Sequence, residues 1–279
     1  VRRGHAASRS SPRRQVSSPL ARRALSATVT PPPTPGARDE FEAWFSEILD
    51  AVHLLVHRSI ERRNTCVLST RFLVEVFSRF NVRVLPVPVA AVALNPVAAV
   101  AWRTQAPASA WRPETGAFMR YIAPNGDPNP ILTNMPLPSD ETRVASAPDP
   151  VRPEGQVTGW DAHLILRMTS PYGGFYWIDL TASQFNNPAR NLEFPDIAVV
   201  RSTGMPEGHE SLILDAENGG LVMYRILPPQ SKVARRYKDA PDWIEMGALV
   251  APGGPEHEQF QRTVTHFANH PGSPGLKVT

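Results

Sequence analysis

Two amphipathic runs stand ahead of a series of strand-like segments, and that order limits the architecture. Phe41, Trp44, Phe45, Ile48, Leu49, Val52, Leu55 and Val56 recur at helical spacing, and Leu68, Phe72, Leu73, Val76, Phe77 and Phe80 repeat the pattern. Asp39 and Glu42 have capping-box spacing, so the first helix is expected from Asp39 to about Ile60. Arg58, Arg62 and Arg63 suit the negative end of its dipole. The second helix opens at Cys66, capped by Asn64 or Thr65, and stops near Asn81. Each stripe needs an apolar surface to cover. Segments 82–94, 157–168, 175–180, 197–201, 211–215 and 221–224 read as strands. Turn signals at Ser170-Pro171-Tyr172-Gly173-Gly174 and Glu217-Asn218-Gly219-Gly220 separate two pairs of them. A last helix is expected over 256–269. The pattern predicts an α+β fold with helices packed on an antiparallel sheet.

A chain of 279 residues, 42% hydrophobic, can bury one or two ordinary cores. We expect a single domain over 39–279, with an irregular, proline-rich insertion at 96–155. Residues 84–102 carry no charge and are long enough to suggest a membrane span. Pro86, Pro88, Pro96 and Asn95 argue instead for a buried strand followed by a loop, so no membrane partner is expected. One cysteine excludes an intrachain disulfide and a cysteine-rich zinc site. His266 and His270, with His257 upstream, lack a His-Glu-x-x-His pattern and read as a solvated helix face, so no metal is expected.

Residues 1–38 hold eight arginines and no acid, which leaves the remainder with a net charge of about −5. The high pI therefore belongs to a Ser/Pro/Arg-rich leader. This leader is transit-like in composition but lacks the apolar run of a secretory signal. It is expected to be a disordered tail, with the cytoplasm as the location. The rest of the chain shows no dense basic stripe, so nucleic acid is not an expected partner. A tail-borne nucleic-acid adaptor is the alternative that charge alone permits.

Cys66, His163 and Asp179 carry the chemistry. Backbone N–H groups in the first turn of a helix favour a thiolate, and a neighbouring imidazole favours it further. His163 and Asp179 are 16 residues apart, and the midpoint, residue 171, falls inside the expected turn. A hairpin closed there makes them direct cross-strand partners on one face, where the carboxylate orients the ring and leaves the other nitrogen for the thiol. His163, Ile165, Arg167, Phe175, Trp177 and Asp179 would share that face. Leu164, Leu166, Met168, Tyr176, Ile178 and Leu180 would pack on the other. The backbone N–H of Cys66, with Asn64, Trp160 and Gln184, supplies substrate or oxyanion candidates.

Three stretches resemble the transglutaminase-like branch of the papain-like cysteine enzymes. They are Asn64-Thr65-Cys66 with its helix running into Val82-Arg83-Val84-Leu85-Pro86-Val87, then Trp160-Asp161-Ala162-His163-Leu164, and finally Trp177-Ile178-Asp179-Leu180-Thr181-Ala182-Ser183-Gln184-Phe185. The resemblance covers residues from about 60 to 200. It implies a transglutaminase-like core with Cys66 as nucleophile, His163 as general base and acid, and Asp179 as orienting group. True transglutaminases pair Trp with the nucleophile, whereas here Thr65 precedes Cys66 and Val67 follows it. The expected activity is hydrolysis or transfer of an amide or acyl group through an acyl-enzyme, on a peptide, protein or small substrate, with no cofactor. The alternative is an inactive member of the same fold serving as an interaction or scaffold protein.

Overall fold

The computed structural model describes residues 36–59, 66–122, 162–206 and 211–276, which belong to one unit, Pro33–Thr279. The chain runs through α1 (Ala37–Ser59), α2 (Cys66–Ser78), β1 (Val84–Leu94), α3 (Pro96–Arg103), β2 (Met119–Ile122), β3 (His163–Thr169) and β4 (Phe175–Asp179). It continues through β5 (Ala198–Ser202), β6 (Ser211–Asp215), β7 (Leu221–Ile226), α4 (Lys232–Arg236), α5 (Pro241–Val250) and α6 (His257–Ala268). The leader as far as residue 35, the caps Asn64 and Thr65, residues 123–155 of the expected insertion, and Trp160 lie outside the described residues.

The architecture is mixed α and β, with helices on an antiparallel sheet. Strand order is β5-β4-β3-β1-β7-β6, and β2 adds to β1. β1 is the centre. Its first half pairs with β3 over Val84–Val89, its second half with β7 over Val89–Leu94, and β2 meets it from Ala91 to Leu94. The prolines fit this layout. The Pro88 carbonyl accepts from Leu227 N at 2.9 Å, so the side of β1 on which Pro86 and Pro88 lack an N–H is the β7 side, ahead of the β7 ladder.

The two amphipathic stripes do what their spacing requires. Phe41, Trp44, Phe45, Ile48, Leu49, Val52 and Val56 of α1 and Leu68, Phe72, Leu73, Val76 and Phe77 of α2 are buried. With Phe260, Val264 and Phe267 of α6 they cover Leu166, Met168, Tyr176, Ile178 and Leu180. Burying each large side chain contributes about 1.5–3 kcal/mol. The Trp44 Nε1–H also donates to the Phe267 carbonyl at 3.0 Å, tying α1 to α6. The start of α1 differs from the capping-box expectation. Gly36, at φ +89°, turns the chain and its carbonyl accepts from Glu40 N at 3.0 Å, so Asp39 sits inside the first turn. It complements the dipole instead of capping the helix.

Part of the segment expected to be irregular is ordered. Asn95 Oδ1 accepts from Ala98 N at 3.0 Å and Phe118 N at 3.1 Å, while its Nδ2 donates to the Gly116 and Arg190 carbonyls at 2.9 Å each. With Pro96 in the first turn, Asn95 starts α3 and staples the following 3-10 turns and β2 to the sheet.

The β3–β4 hairpin has a different register from the one expected. Leu166 pairs with Ile178, Met168 with Tyr176 and Thr169 with Phe175, so the turn centres on Tyr172. Ser170 N donates to Gly174 O at 3.1 Å, and Gly173 and Gly174 take φ of +93° and +76°. A Cβ on Gly174 would stand 2.4 Å from the Ser202 carbonyl oxygen of β5. Glycine is therefore required there by backbone angle and by space. Gly174→Ala is expected to destabilise the fold by about 2 kcal/mol or more in urea unfolding, without changing the m-value.

Candidate functional site

Two residues of added offset separate the observed hairpin from the expected one, and an even offset preserves the faces. His163 and Asp179 are thus diagonal neighbours on one face instead of direct partners. The faces themselves divide as alternation requires: Ile165 and Trp177 pack beneath the site, and Leu166, Met168, Tyr176 and Ile178 pack under the helices. The diagonal spacing suits the side chains, because His163 Nε2 lies 2.7 Å from Asp179 Oδ2.

The carboxylate is saturated. Oδ2 also accepts from Tyr224 OH at 2.9 Å, and Oδ1 accepts from Thr181 N at 2.8 Å and Thr181 Oγ1 at 3.0 Å. The chain turns just after β4, so Thr181 folds back on Asp179 as an Asx-type turn does. His53 of α1 reaches the same bend, its Nδ1 3.2 Å from the Leu180 carbonyl.

Helix α2 brings the sulfur. Thr70 Oγ1 donates to the Leu164 carbonyl at 3.2 Å, one turn along from Cys66 and one residue after His163. That bond docks the start of α2 against the start of β3, which brings Cys66 near enough to the His163 ring to help raise its pKa. Cys66 shares a buried cluster with Val67, Leu164, Tyr237, Ala240 and Trp243. Exposure falls from 7% at Cys66 to 2% at Asp179 and 0% at His163. The imidazole is therefore sealed, and Cys66 is the most exposed of the three.

Gln184, in the 3-10 turn Ala182–Phe185, places its Nε2 2.9 Å from His163 Nδ1 and 3.5 Å from Nε2. A donor along the in-plane direction of Nδ1 would be about 5 Å from Nε2, because the ring nitrogens are about 2.2 Å apart. The amide therefore lies over the ring face. Since Nε2 is taken by Asp179, the in-plane direction of Nδ1 is left for the thiol. Arg120 Nη1 anchors the turn through the Gln184 and Asn186 carbonyls at 3.1 and 2.8 Å.

Electrostatics favour a charged ring. Burial alone would push the imidazole toward its neutral form; the Asp179 charge and hydrogen bond, helped by Cys66, outweigh it and hold the pKa up at about 10. Burial likewise opposes the Asp179 carboxylate, yet His163, the Thr181 N–H and the Tyr224 hydroxyl keep its pKa below the ordinary value. Burial and then Asp179 raise the Tyr224 phenol well above 10, so it remains a donor.

Of the residues marked in the sequence, Cys66, His163, Asp179 and Gln184 come together, while Asn64 and Trp160 lie outside the described residues. Tyr224 and the clamp formed by Thr181 were not anticipated. Tyr224 shares the parity of Val222, so its inward face was legible, but the strand order that carries it toward His163 was not. Among the described residues no group of three His, Cys, Asp or Glu is placed to hold a metal ion. His257 Nδ1 lies 2.9 Å from the Val250 carbonyl, and His270 Nε2 lies 3.6 Å from Glu47. No described helix is long and apolar enough to cross a membrane. Comparison with protein-family models, curated proteins and solved structures returns no match.

The pair makes stability depend on pH in a defined direction. The His163 pKa is raised above 6.5, so its contribution is complete below about pH 6.5 and is lost as pH climbs through about 10. The Asp179 pKa is lowered from 3.8, so its contribution fades only as the solution becomes acidic. Urea midpoints should hold between about pH 5 and 6.5 and fall toward pH 10. Asp179→Asn should flatten that alkaline decline and cost about 3–5 kcal/mol near pH 6, because it leaves a buried imidazolium without its partner.

Proposed function

We propose that the protein is a cysteine-dependent enzyme that hydrolyses or transfers an amide or acyl group through a covalent intermediate on Cys66. The observation that carries this reading is the meeting of Cys66, at the start of α2, with a buried imidazole whose Nε2 is committed to a saturated carboxylate, which leaves Nδ1 for the sulfur. The likeness of the three stretches around Cys66, His163 and Asp179 to transglutaminase-like enzymes supports the same reading, and a transglutaminase-like core is part of the proposal.

The Cys66 thiolate attacks the carbonyl carbon, forming the S–C bond and moving the C=O electrons onto oxygen. The backbone N–H of Cys66 and the Gln184 amide are the donors at hand for that oxyanion. As the tetrahedral species collapses, the leaving amine takes the proton from His163 Nδ1 and the C–N bond breaks, leaving a thioester. Water or an acceptor amine then attacks, neutral His163 takes its proton, and the thiolate departs. Asp179 keeps the ring oriented throughout.

The enclosure of the triad favours a second reading. A fully buried imidazole and a nearly buried thiol also fit an inactive member of the fold that serves as a scaffold.

Alkylation separates the two. At about pH 6 an ordinary thiol is almost wholly protonated, so iodoacetamide should label Cys66 at least about tenfold faster than free cysteine if the imidazolium stabilises a thiolate. His163→Ala should slow labelling by about tenfold or more. An activated ester should add one acyl mass to the wild-type chain and none to Cys66→Ser. A thiol that reacts only after unfolding in urea would favour the scaffold.

A further inference from the structure

We propose that Tyr224 is a positioning residue of this site, acting on His163 by sharing the Asp179 oxygen that receives the imidazole N–H. The inference rests on the reading above, in which His163 moves the proton for Cys66.

Tyr224 belongs to β7, on the far side of β1 from His163, and stands opposite Ala91 of β1. Past that small side chain it extends to Asp179 on β4. Its ring lies 19° from parallel with the imidazole, centroids 6.1 Å apart, and its hydroxyl donates to Oδ2 at 2.9 Å. The same oxygen receives the His163 Nε2–H at 2.7 Å. One side chain thus flanks the ring and competes for its acceptor.

The competition has a chemical consequence. Two donors on one oxygen each draw on its charge, so each bond is weaker than it would be alone. Without the phenol, Oδ2 would face the imidazole proton with its full charge and hold it more tightly. An imidazolium held too tightly is a poor acid toward a leaving amine. The titratable groups facing His163 are Asp179, Cys66 and Tyr224; Gln184 and Phe185, which also touch it, are uncharged. Of these, Tyr224 alone shares Oδ2. Burial keeps the phenol protonated, so the restraint persists across the working pH range.

The test reads the His163 Nε2–H by proton NMR in the full-length chain, assigned by its loss in Asp179→Asn. Tyr224→Phe should move that resonance downfield by roughly 1 ppm and shift the alkaline limb of Cys66 alkylation upward by about half a pH unit. Alkylation near pH 7, which needs no acid, should stay within about threefold of wild type. Biosynthetic 3-fluorotyrosine keeps every tyrosine ring and makes the phenol a stronger donor, so it should move the resonance upfield even if Tyr224→Phe does not fold. A stationary resonance in the fluorotyrosine protein, or a Tyr224→Phe variant that melts lower with the resonance unmoved, overturns the proposal. Failure of Cys66 to label in the wild type would sink the enzymatic reading instead, and leaves the proton shift free to decide what Tyr224 does.

Discussion

A carboxylate buried to 2% exposure governs this structure. Moving an ion of that size out of water costs several kcal/mol, and the cost is offset only when charge and hydrogen bonds are both supplied. At Asp179 they are supplied from three places: His163 from the preceding strand, Tyr224 from two strands beyond it, and Thr181 from the bend that follows. Each partner fixes a different piece of backbone, so hairpin register, sheet order and the conformation of residues 180–185 meet at one carboxylate. A one-residue slip of β4 would turn Asp179 into the apolar layer under the helices.

The same saturation gives the imidazole its character. With four hydrogen bonds on its partner and none of its own surface exposed, the ring has one orientation, Nε2 toward Asp179 and Nδ1 beside the Gln184 amide. One turn on from Cys66, the Thr70 hydroxyl pins α2 to β3. The helix supplies the thiol and the sheet supplies the pair, and the Thr70–Leu164 bond joins the apolar packing of α2 on β3 in setting their spacing. The α4–α5 region contributes to the same cluster, through Tyr237, Ala240 and Trp243.

The legible parts of the sequence were those set by period. The stripes of α1 and α2, the hairpin at 217–220, the 211–215 strand and the last helix follow from local spacing and turn chemistry. The pairing of His163 with Asp179 on one face was legible too, because face depends on parity and parity survives the two-residue change of register. The register itself was not, since it depends on Gly174 lying against Ser202 of β5, a contact remote in sequence. In the sequence Asn95 reads only as an obstacle to a membrane helix; its role as a cap needs the Gly116–Phe118 segment and Arg190 beside it. Helix α5 is hard to read in the sequence because Gly247 interrupts a short apolar run, and it packs against α2, whose Arg71 lies over the Trp243 ring of α5. Tyr224 lay beyond local reasoning because it meets Asp179 across two intervening strands.

The composition of β1 is explained by the same geometry. Its second half is buried on both faces, with Val89, Ala91 and Ala93 toward the Asp179 side and Val92 and Leu94 toward α3. Double burial demands an uninterrupted apolar run, which is why 84–102 resembles a membrane span by composition. The alanines answer a second demand. A large residue at position 91 would occupy the path by which Tyr224 passes from β7 toward Asp179, and Ala93 stands beside Arg120, which crosses to hold the Gln184 turn. Small side chains at the sheet centre thus let long polar ones from the flanking strands converge. An Ala91→Leu chain would gain apolar area locally, yet it would force Tyr224 out of line with the carboxylate and leave Oδ2 with the imidazole as its single donor.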